Sequence, residues 1–152
     1  KVDSAAMMFR GIPGERLVII GKGPLLQKIK NEAGPNILVR GYCSNEEIRD
    51  AYRKAKVFIF PGEEDFGITM AESLACSTPV LAYEKGGSRD IVEEGATGEF
   101  FDGTKEGFIK TLEKISNRMY DKKGMRESSL RFSKKDFREN FTGFLRKNGI
   151  NI

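Results

Sequence analysis

Val57-Phe58-Ile59-Phe60-Pro61-Gly62-Glu63-Glu64-Asp65-Phe66-Gly67-Ile68-Thr69-Met70-Ala71-Glu72-Ser73-Leu74-Ala75-Cys76-Ser77-Thr78-Pro79-Val80-Leu81-Ala82 reads as a strand, a turn, a helix and a second strand in succession. Val57 to Phe60 is apolar without a break, as in a strand covered on both faces, and Pro61-Gly62 ends it. A helix is expected from about Ile68 to Cys76, and Pro79 to Ala82 is the next buried strand. Successive parallel strands need such a crossover helix, so this stretch predicts a strand–helix–strand unit.

Working outward, the same alternation recurs. Leu17 to Ile20 is a strand candidate ended by Gly21-Lys22-Gly23-Pro24, and Pro24 fits the first turn of a helix to about Glu32. Ile37-Leu38-Val39 is another strand, followed by Asn45 as an N-cap for a helix Glu46 to Ala55. Beyond Ala82, Gly86-Gly87 precedes a short helix Ser88 to Glu93, and Glu99-Phe100-Phe101 is a last short strand. Apolar strands separated by helices predict a Rossmann-like, doubly wound parallel sheet in a three-layer α/β/α sandwich. Ligands of such sheets bind beyond the carboxyl ends of the strands, so loops 21–24, 41–45, 61–67 and 83–87 are expected on one rim. The helix Val2 to Phe9 has no strand before it, which leads to the expectation of a first strand upstream of Lys1. Residues 1–152 are expected to form a single domain.

Composition narrows the chemistry. The 152 residues hold 32% charged and 39% hydrophobic side chains, an ordinary globular balance. No apolar run approaches the roughly 20 residues that span a bilayer. There is no His, so His-based catalysis and His-ligated metals are excluded, and proton chemistry falls to carboxylates, Lys, Tyr or Cys. Cys43 and Cys76 form no CxxC and read as free cytosolic thiols. The net charge of +4 is uneven: residues 122–147 hold nine Lys/Arg against three Asp/Glu. Within that basic tail Lys134 to Lys147 forms an amphipathic helix, with Phe137, Phe141, Phe144 and Leu145 as one stripe. Packing against this domain or an absent neighbour explains the stripe best, and peripheral contact with a membrane surface is the alternative.

The helix after Phe66 carries the candidate site. Its N-terminus offers free amides to an anion or a sugar oxygen, and Gly67 allows close approach. On a helical wheel Ile68, Met70, Ala71, Leu74 and Ala75 form the sheet-facing arc, with Thr69, Glu72, Ser73 and Cys76 opposite. Glu72 falls at the edge of the apolar arc, which predicts a partly buried carboxylate in need of donors. Two ribose hydroxyls would supply them. Taken singly, Glu64 reads as a helix-dipole acid and Glu72 as a surface residue.

Together the run resembles glycosyltransferase family 4, whose signature holds two glutamates with seven residues between them. Glu64-Asp65-Phe66-Gly67 and Glu72-Ser73-Leu74-Ala75 stand in the matching places, and Thr78-Pro79-Val80-Leu81-Ala82 continues the match. Leu17 to Pro24, Gly41-Tyr42-Cys43-Ser44-Asn45 and Gly86-Gly87-Ser88-Arg89-Asp90 are similar to further family segments, in order, over nearly the whole chain. Asp65 and Ser77 replace glycines of the family pattern, and Asp90 replaces a Glu.

The resemblance implies the donor-binding half of a retaining, metal-independent hexosyltransferase of the GT-B fold. It implies that Glu64 contacts the transferred sugar as the catalytic carboxylate and Glu72 holds the ribose. Phe66, Gly67, Ile68 and Thr69 would contact sugar and diphosphate through the backbone. Tyr42, Cys43 and Asn45 would border the base, with Gly21 and Gly23 beside the phosphates. Lys1 matches a family lysine that neutralises the leaving diphosphate. No cofactor is implied beyond the nucleotide diphosphate sugar. The segment Pro61 to Gly67 is similar to mannosyltransferases of surface polysaccharide assembly, which implies GDP-mannose and a glycan or lipid-linked acceptor. The acceptor would bind an upstream domain, and the enzyme would work in the cytoplasm or at the inner membrane face.

Three other readings compete. A dinucleotide-dependent oxidoreductase needs Gly-x-Gly-x-x-Gly, but Leu26 stands at the last position and no acid lies near Gly41. A non-catalytic nucleotide-sugar-binding module fits the same motifs. Nucleic-acid binding has only the basic tail in its favour.

Overall fold

The computed structural model describes residues 1–150. Five parallel strands alternate with helices. Helix α1 (Val2–Phe9) leads to β1 (Leu17–Ile20), α2 (Leu26–Glu32), β2 (Ile37–Arg40) and α3 (Asn45–Lys54). There follow β3 (Phe58–Phe60), α4 (Ile68–Ala75), β4 (Val80–Tyr83), α5 (Ser88–Ile91) and β5 (Gly98–Phe101). Helices α6 (Lys105–Ser116), α7 (Lys122–Ser129) and α8 (Lys134–Lys147) close the chain, with a 3-10 turn at Leu130–Phe132.

The expected single sheet is divided in two. β1 pairs with β2, and β3-β4-β5 form a second sheet, all parallel. No ladder joins the two sheets. They nevertheless share one apolar layer. Ala6 and Phe9 of α1, Ile29 of α2 and Phe108, Leu112 and Ile115 of α6 pack over Ile37, Leu81 and Phe101, with Leu17, Ile19, Val57 and Ile59 at its border. The opposite face of the larger sheet is covered by Met70 and Leu74 of α4, Ile91 of α5 and Met125 of α7.

The helix positions order the strands. α2 lies on the first face, whereas α3 sets Tyr52 edge-on to Phe58 at 5.2 Å and belongs to the second. Right-handed crossovers on opposite faces step in opposite directions along a sheet. The chain therefore steps one way from β1 to β2 and back the other way to β3. The order is β2-β1, then β3-β4-β5, with the open edge of β1 facing that of β3.

Local chemistry explains the boundaries. Ser44, not Asn45, caps α3: its Oγ accepts from the Glu47 amide at 3.2 Å while the Glu47 carboxylate accepts from the Ser44 amide at 2.8 Å. α4 ends in a Schellman motif, with Ser77 N–H on the Leu74 carbonyl at 2.8 Å and Thr78 N–H on the Ser73 carbonyl at 3.0 Å. Ser77 takes the left-handed conformation (φ 61°), where the family pattern has glycine.

Three wheel assignments are corrected. Ile68 is 62% exposed, because the first turn of α4 projects past the strand ends, and Ala75 is exposed too. Ser73 is fully buried, its hydroxyl donating to the Thr78 carbonyl at 2.9 Å. The phenylalanines of the α8 stripe stay largely uncovered: Phe137, Phe141 and Phe144 are 65%, 50% and 62% exposed, and Phe137 stacks on Phe141, while Leu145 is half-buried. No helix among the described residues is long and apolar enough to cross a membrane.

Candidate functional site

The carboxyl ends of the strands bring the expected loops together in two groups. On the smaller sheet, the Gly21 amide donates to the Gly41 carbonyl at 3.1 Å and joins the first two loops. Tyr42 is 73% exposed there, and the Lys22 ammonium stands 4.6 Å over its ring. Asn45 is exposed beside it, whereas Cys43 is buried. Gly23 accepts from Leu26 and starts α2.

On the larger sheet, loop 61–67 is held by loop 84–87, backbone against backbone. The Gly87 amide donates to the Glu64 carbonyl at 2.8 Å. A Cβ on Gly86 would lie 2.6 Å from the Glu64 carbonyl oxygen, and one on Gly87 2.9 Å from the Phe66 carbonyl oxygen. Any side chain at either glycine would push the Glu64 loop away. Gly67, at φ 79°, turns the chain into α4 and leaves the first amides of that helix without intrahelical partners. Glu64 and Asp65 are exposed on the same rim, and Thr69 is half-buried.

Glu72 is exposed, contrary to the expected partial burial. The wheel sets it at the edge of the apolar arc of its own helix, yet the neighbour it meets is Tyr52 of α3. The Tyr52 hydroxyl donates to Glu72 Oε2 at 3.4 Å. Burial first, and then the Glu72 charge, push the Tyr52 phenol upward, so it stays a donor at all ordinary pH. Burial also raises the Cys76 thiol against the opposing pull of Arg53 and Arg49. One Glu72 oxygen is thus held and the other left open.

The structure adds residues that the motifs did not announce. Tyr52 is one, reached across 20 residues of sequence. Phe132 is another: its ring meets Phe66 edge-on at 5.9 Å, and the Arg131 guanidinium lies over it at 4.9 Å. Arg131 also donates to the Asp90 and Ile91 carbonyls, tying the C-terminal segment to α5. Tyr83 is a third, with the Lys1 ammonium 4.9 Å and the Lys85 ammonium 5.5 Å from its ring centre. Among the described residues no three His, Cys, Asp or Glu side chains come together as a metal site.

A phosphate-sized anion, a sugar hydroxyl and a diol could all be met on this rim. The family described as "Glycosyl transferases group 1" matches residues 5–134, which takes in every loop just described. The chain belongs to that family. As a group 1 glycosyltransferase domain it is 42% identical over 81 residues to a D-inositol 3-phosphate glycosyltransferase of Thermomonospora curvata, covering 51% of this chain and 19% of that protein. It is 32% identical over 116 residues to a GDP-mannose-dependent alpha-(1-6)-phosphatidylinositol monomannoside mannosyltransferase of Mycolicibacterium smegmatis, covering 67% of this chain and 30% of that one. Against the solved lipopolysaccharide outer core galactosyltransferase WaaB the TM-score is 0.83 at 19% identity, over 97% of this chain and 45% of that one. The HepE protein of Anabaena, solved with UDP and glucose, gives 0.72 at 17% identity, over 96% and 44%. These likenesses show a Rossmann-like GT-B fold. The group 1 domain spans less than half the length of each of these relatives.

Proposed function

We propose that this chain is the donor-binding, C-terminal half of a retaining glycosyltransferase of family 4. The carrying observation is the Glu64 loop: loop 84–87 clamps its backbone at the open N-terminus of α4, while Glu72 waits two turns along with one oxygen engaged. Such an arrangement suits a diphosphate sugar lying across the rim. The amides of α4 meet sugar and phosphate oxygens, the free oxygen of Glu72 takes a ribose hydroxyl, and Glu64 stands on the sugar side. In this reading the leaving diphosphate is stabilised by amides and ammonium groups, without a metal. Tyr42, the Cys43 backbone and Asn45 border the base, Gly21 and Gly23 flank the phosphates, and Lys1 offers charge to the diphosphate.

Mannose from GDP-mannose is the donor this reading prefers, in keeping with the similarity to a GDP-mannose-dependent relative. The acceptor is a glycan or lipid-linked sugar, met by an upstream domain in the cytoplasm or at a membrane face. Two features favour such a neighbour. A strand before α1, whose helix lies on the first face, would step right-handedly into the gap between β1 and β3. The exposed Phe137, Phe141 and Phe144 face of α8 also remains to be covered.

Calorimetric titration of GDP, UDP and their sugars into this chain tests the reading. GDP-mannose is expected to bind wild type and to lose about tenfold in affinity with Glu72→Ala, the size of a charge-assisted hydrogen bond to ribose. Absence of binding by any nucleotide sinks the proposal. In a longer protein carrying this domain, Glu64→Ala is expected to lower turnover far more than nucleotide affinity.

A further inference from the structure

A cavity of ≈ 550 Å³ opens at the carboxyl ends of β3, β4 and β5, lined among others by Lys1, Pro61, Tyr83, Gly103 and Lys105. Its lysine side chains have no counter-charge at ion-pair distance among the described residues. The Lys1 and Lys85 ammonium groups both stand over the Tyr83 ring, at 4.9 and 5.5 Å from its centre. They are therefore held within about one screening length (~10 Å) of each other, where like charges repel. Neither ammonium, nor that of Lys105, forms an ion pair among the described residues. Of the acids near them in sequence, Asp3 meets the Lys1 α-ammonium at 4.0 Å, Glu84 pairs with Arg89 at 3.5 Å, Asp102 accepts from the Thr104 amide and hydroxyl at 2.9 and 2.7 Å, and Glu106 forms no ion pair among the described residues. The N-termini of α1 and α6 lie at Lys1 and Lys105, on the cavity wall, although the Gly107 amide of α6 is taken by the Thr104 hydroxyl at 2.9 Å. An aromatic face can hold two ammonium groups in place without neutralising them.

We infer that Lys85 and Lys105, together with Lys1 and around Tyr83, form a binding site for a phosphoryl group. The inference rests on the donor-site reading for its biological sense, because the cavity adjoins the loop that carries Glu64. It adds residues which lie outside every motif segment named above except the 83–87 rim loop. The phosphoryl group could arrive as the diphosphate of a nucleotide or on a second, phosphorylated substrate, and the two sources are separable.

The test titrates inorganic pyrophosphate into this chain at low salt, with wild type, Lys85→Gln, Lys105→Gln, the double variant, and Lys135→Gln on α8 as a control for net charge. Pyrophosphate is expected to bind wild type, to lose about three- to tenfold in each single variant and about 30-fold in the double. Lys135→Gln is expected to match wild type, and Lys85→Arg to retain most of the affinity. Guanosine, which has no phosphate, reads the Glu72 side separately: its binding is expected to be unchanged in the double variant and reduced by Glu72→Ala. An unchanged pyrophosphate affinity in the double variant, or an equal loss with Lys135→Gln, overturns the site. Loss of nucleoside binding alone would count against the donor reading and leave the anion site standing. Displacement of pyrophosphate by GDP assigns the site to the donor, and simultaneous binding of both assigns it to the second substrate.

Discussion

Gly87 sits in a right-handed helical conformation, φ −61° and ψ −10°, where alanine is comfortable. On backbone grounds alone Gly87→Ala should stabilise the protein by about 0.4–1 kcal/mol, by restricting the unfolded chain. The packing predicts the opposite sign. An added Cβ would lie 2.8 Å from the Asp65 carbonyl carbon and 2.9 Å from the Phe66 carbonyl oxygen, and closer still to the Asp65 oxygen, where ordinary contact begins at 3.4 Å. These atoms are backbone and cannot swing aside. Loop 61–67 must retreat by roughly 1 Å, a displacement that costs on the order of 10²-fold in rate when it moves a reacting group. Overpacking of this kind costs about 1–3 kcal/mol in stability. Urea denaturation of the chain reads the stability, and sugar transfer by a longer protein carrying the same substitution reads the rate. Gly62→Ala is the internal control, since a Cβ there meets nothing within 4 Å. A Gly87→Ala variant as stable as wild type, with transfer intact, would refute the claim that this backbone contact sets the position of Glu64.

Further outcomes are expected. Ser77→Ala should lose about 1 kcal/mol with the bond from its hydroxyl to the Lys122 carbonyl, whereas Ser77→Gly should be near neutral, because relief of the left-handed strain (about 1 kcal/mol) offsets the same loss. Equal urea midpoints for the two variants would contradict this. Glu99 is fully buried and accepts from Lys114, from Arg118 at 3.4 Å and from Tyr120 at 3.3 Å. Glu99→Ala should cost about 1–3 kcal/mol by chemical denaturation, at the lower end because the two cations are half-exposed and regain water. A change below about 0.5 kcal/mol would mean that the network contributes nothing. Thr104, donating to Asp102, holds that carboxyl below its ordinary value of 3.8. Its stabilising contribution is therefore complete above that pH and is lost as pH falls through the lower folded value. Asp102→Asn should differ most from wild type near neutrality and converge with it in acid; parallel acid-denaturation curves would speak against the assignment.

The strands β1, β3 and β4 were legible because each is an apolar run with a proline or glycine boundary. The loops on the carboxyl rim followed from the same alternation. The cap of α3 was misread although its signal was present: Ser44 and Glu47 stand three apart, as a capping box requires. A helical wheel carries no information about where the neighbouring strands stop, so angle alone sets the exposed Ile68 in the core. Ser73 was assigned to solvent for the converse reason, since a small hydroxyl that closes a turn can be buried at any angle. Neither α6 nor α7 was expected from the sequence, although Phe108, Leu112 and Ile115 stand at i, i+4 and i+7 on one helical face of α6, whereas α7 offers little pattern beyond Met125. The Tyr52–Glu72 and Phe66–Phe132 contacts join distant segments, and only the fold reveals them.

The gap between β1 and β3 has a consequence for how this chain behaves in a tube. A closed five-stranded sheet exposes two edges, whereas this arrangement exposes four. Each edge is a row of unsatisfied amides and carbonyls able to recruit another chain. Val18, nearly half exposed, lies on β1 beside the opening, and Leu38, exposed to the same degree, lies next to it on β2. Concentrated solutions are therefore expected to self-associate through strand addition, and light scattering should fall when a short apolar peptide able to occupy the opening is supplied in excess. Solubility here is a property of an edge left unpaired as much as of the charge the surface carries.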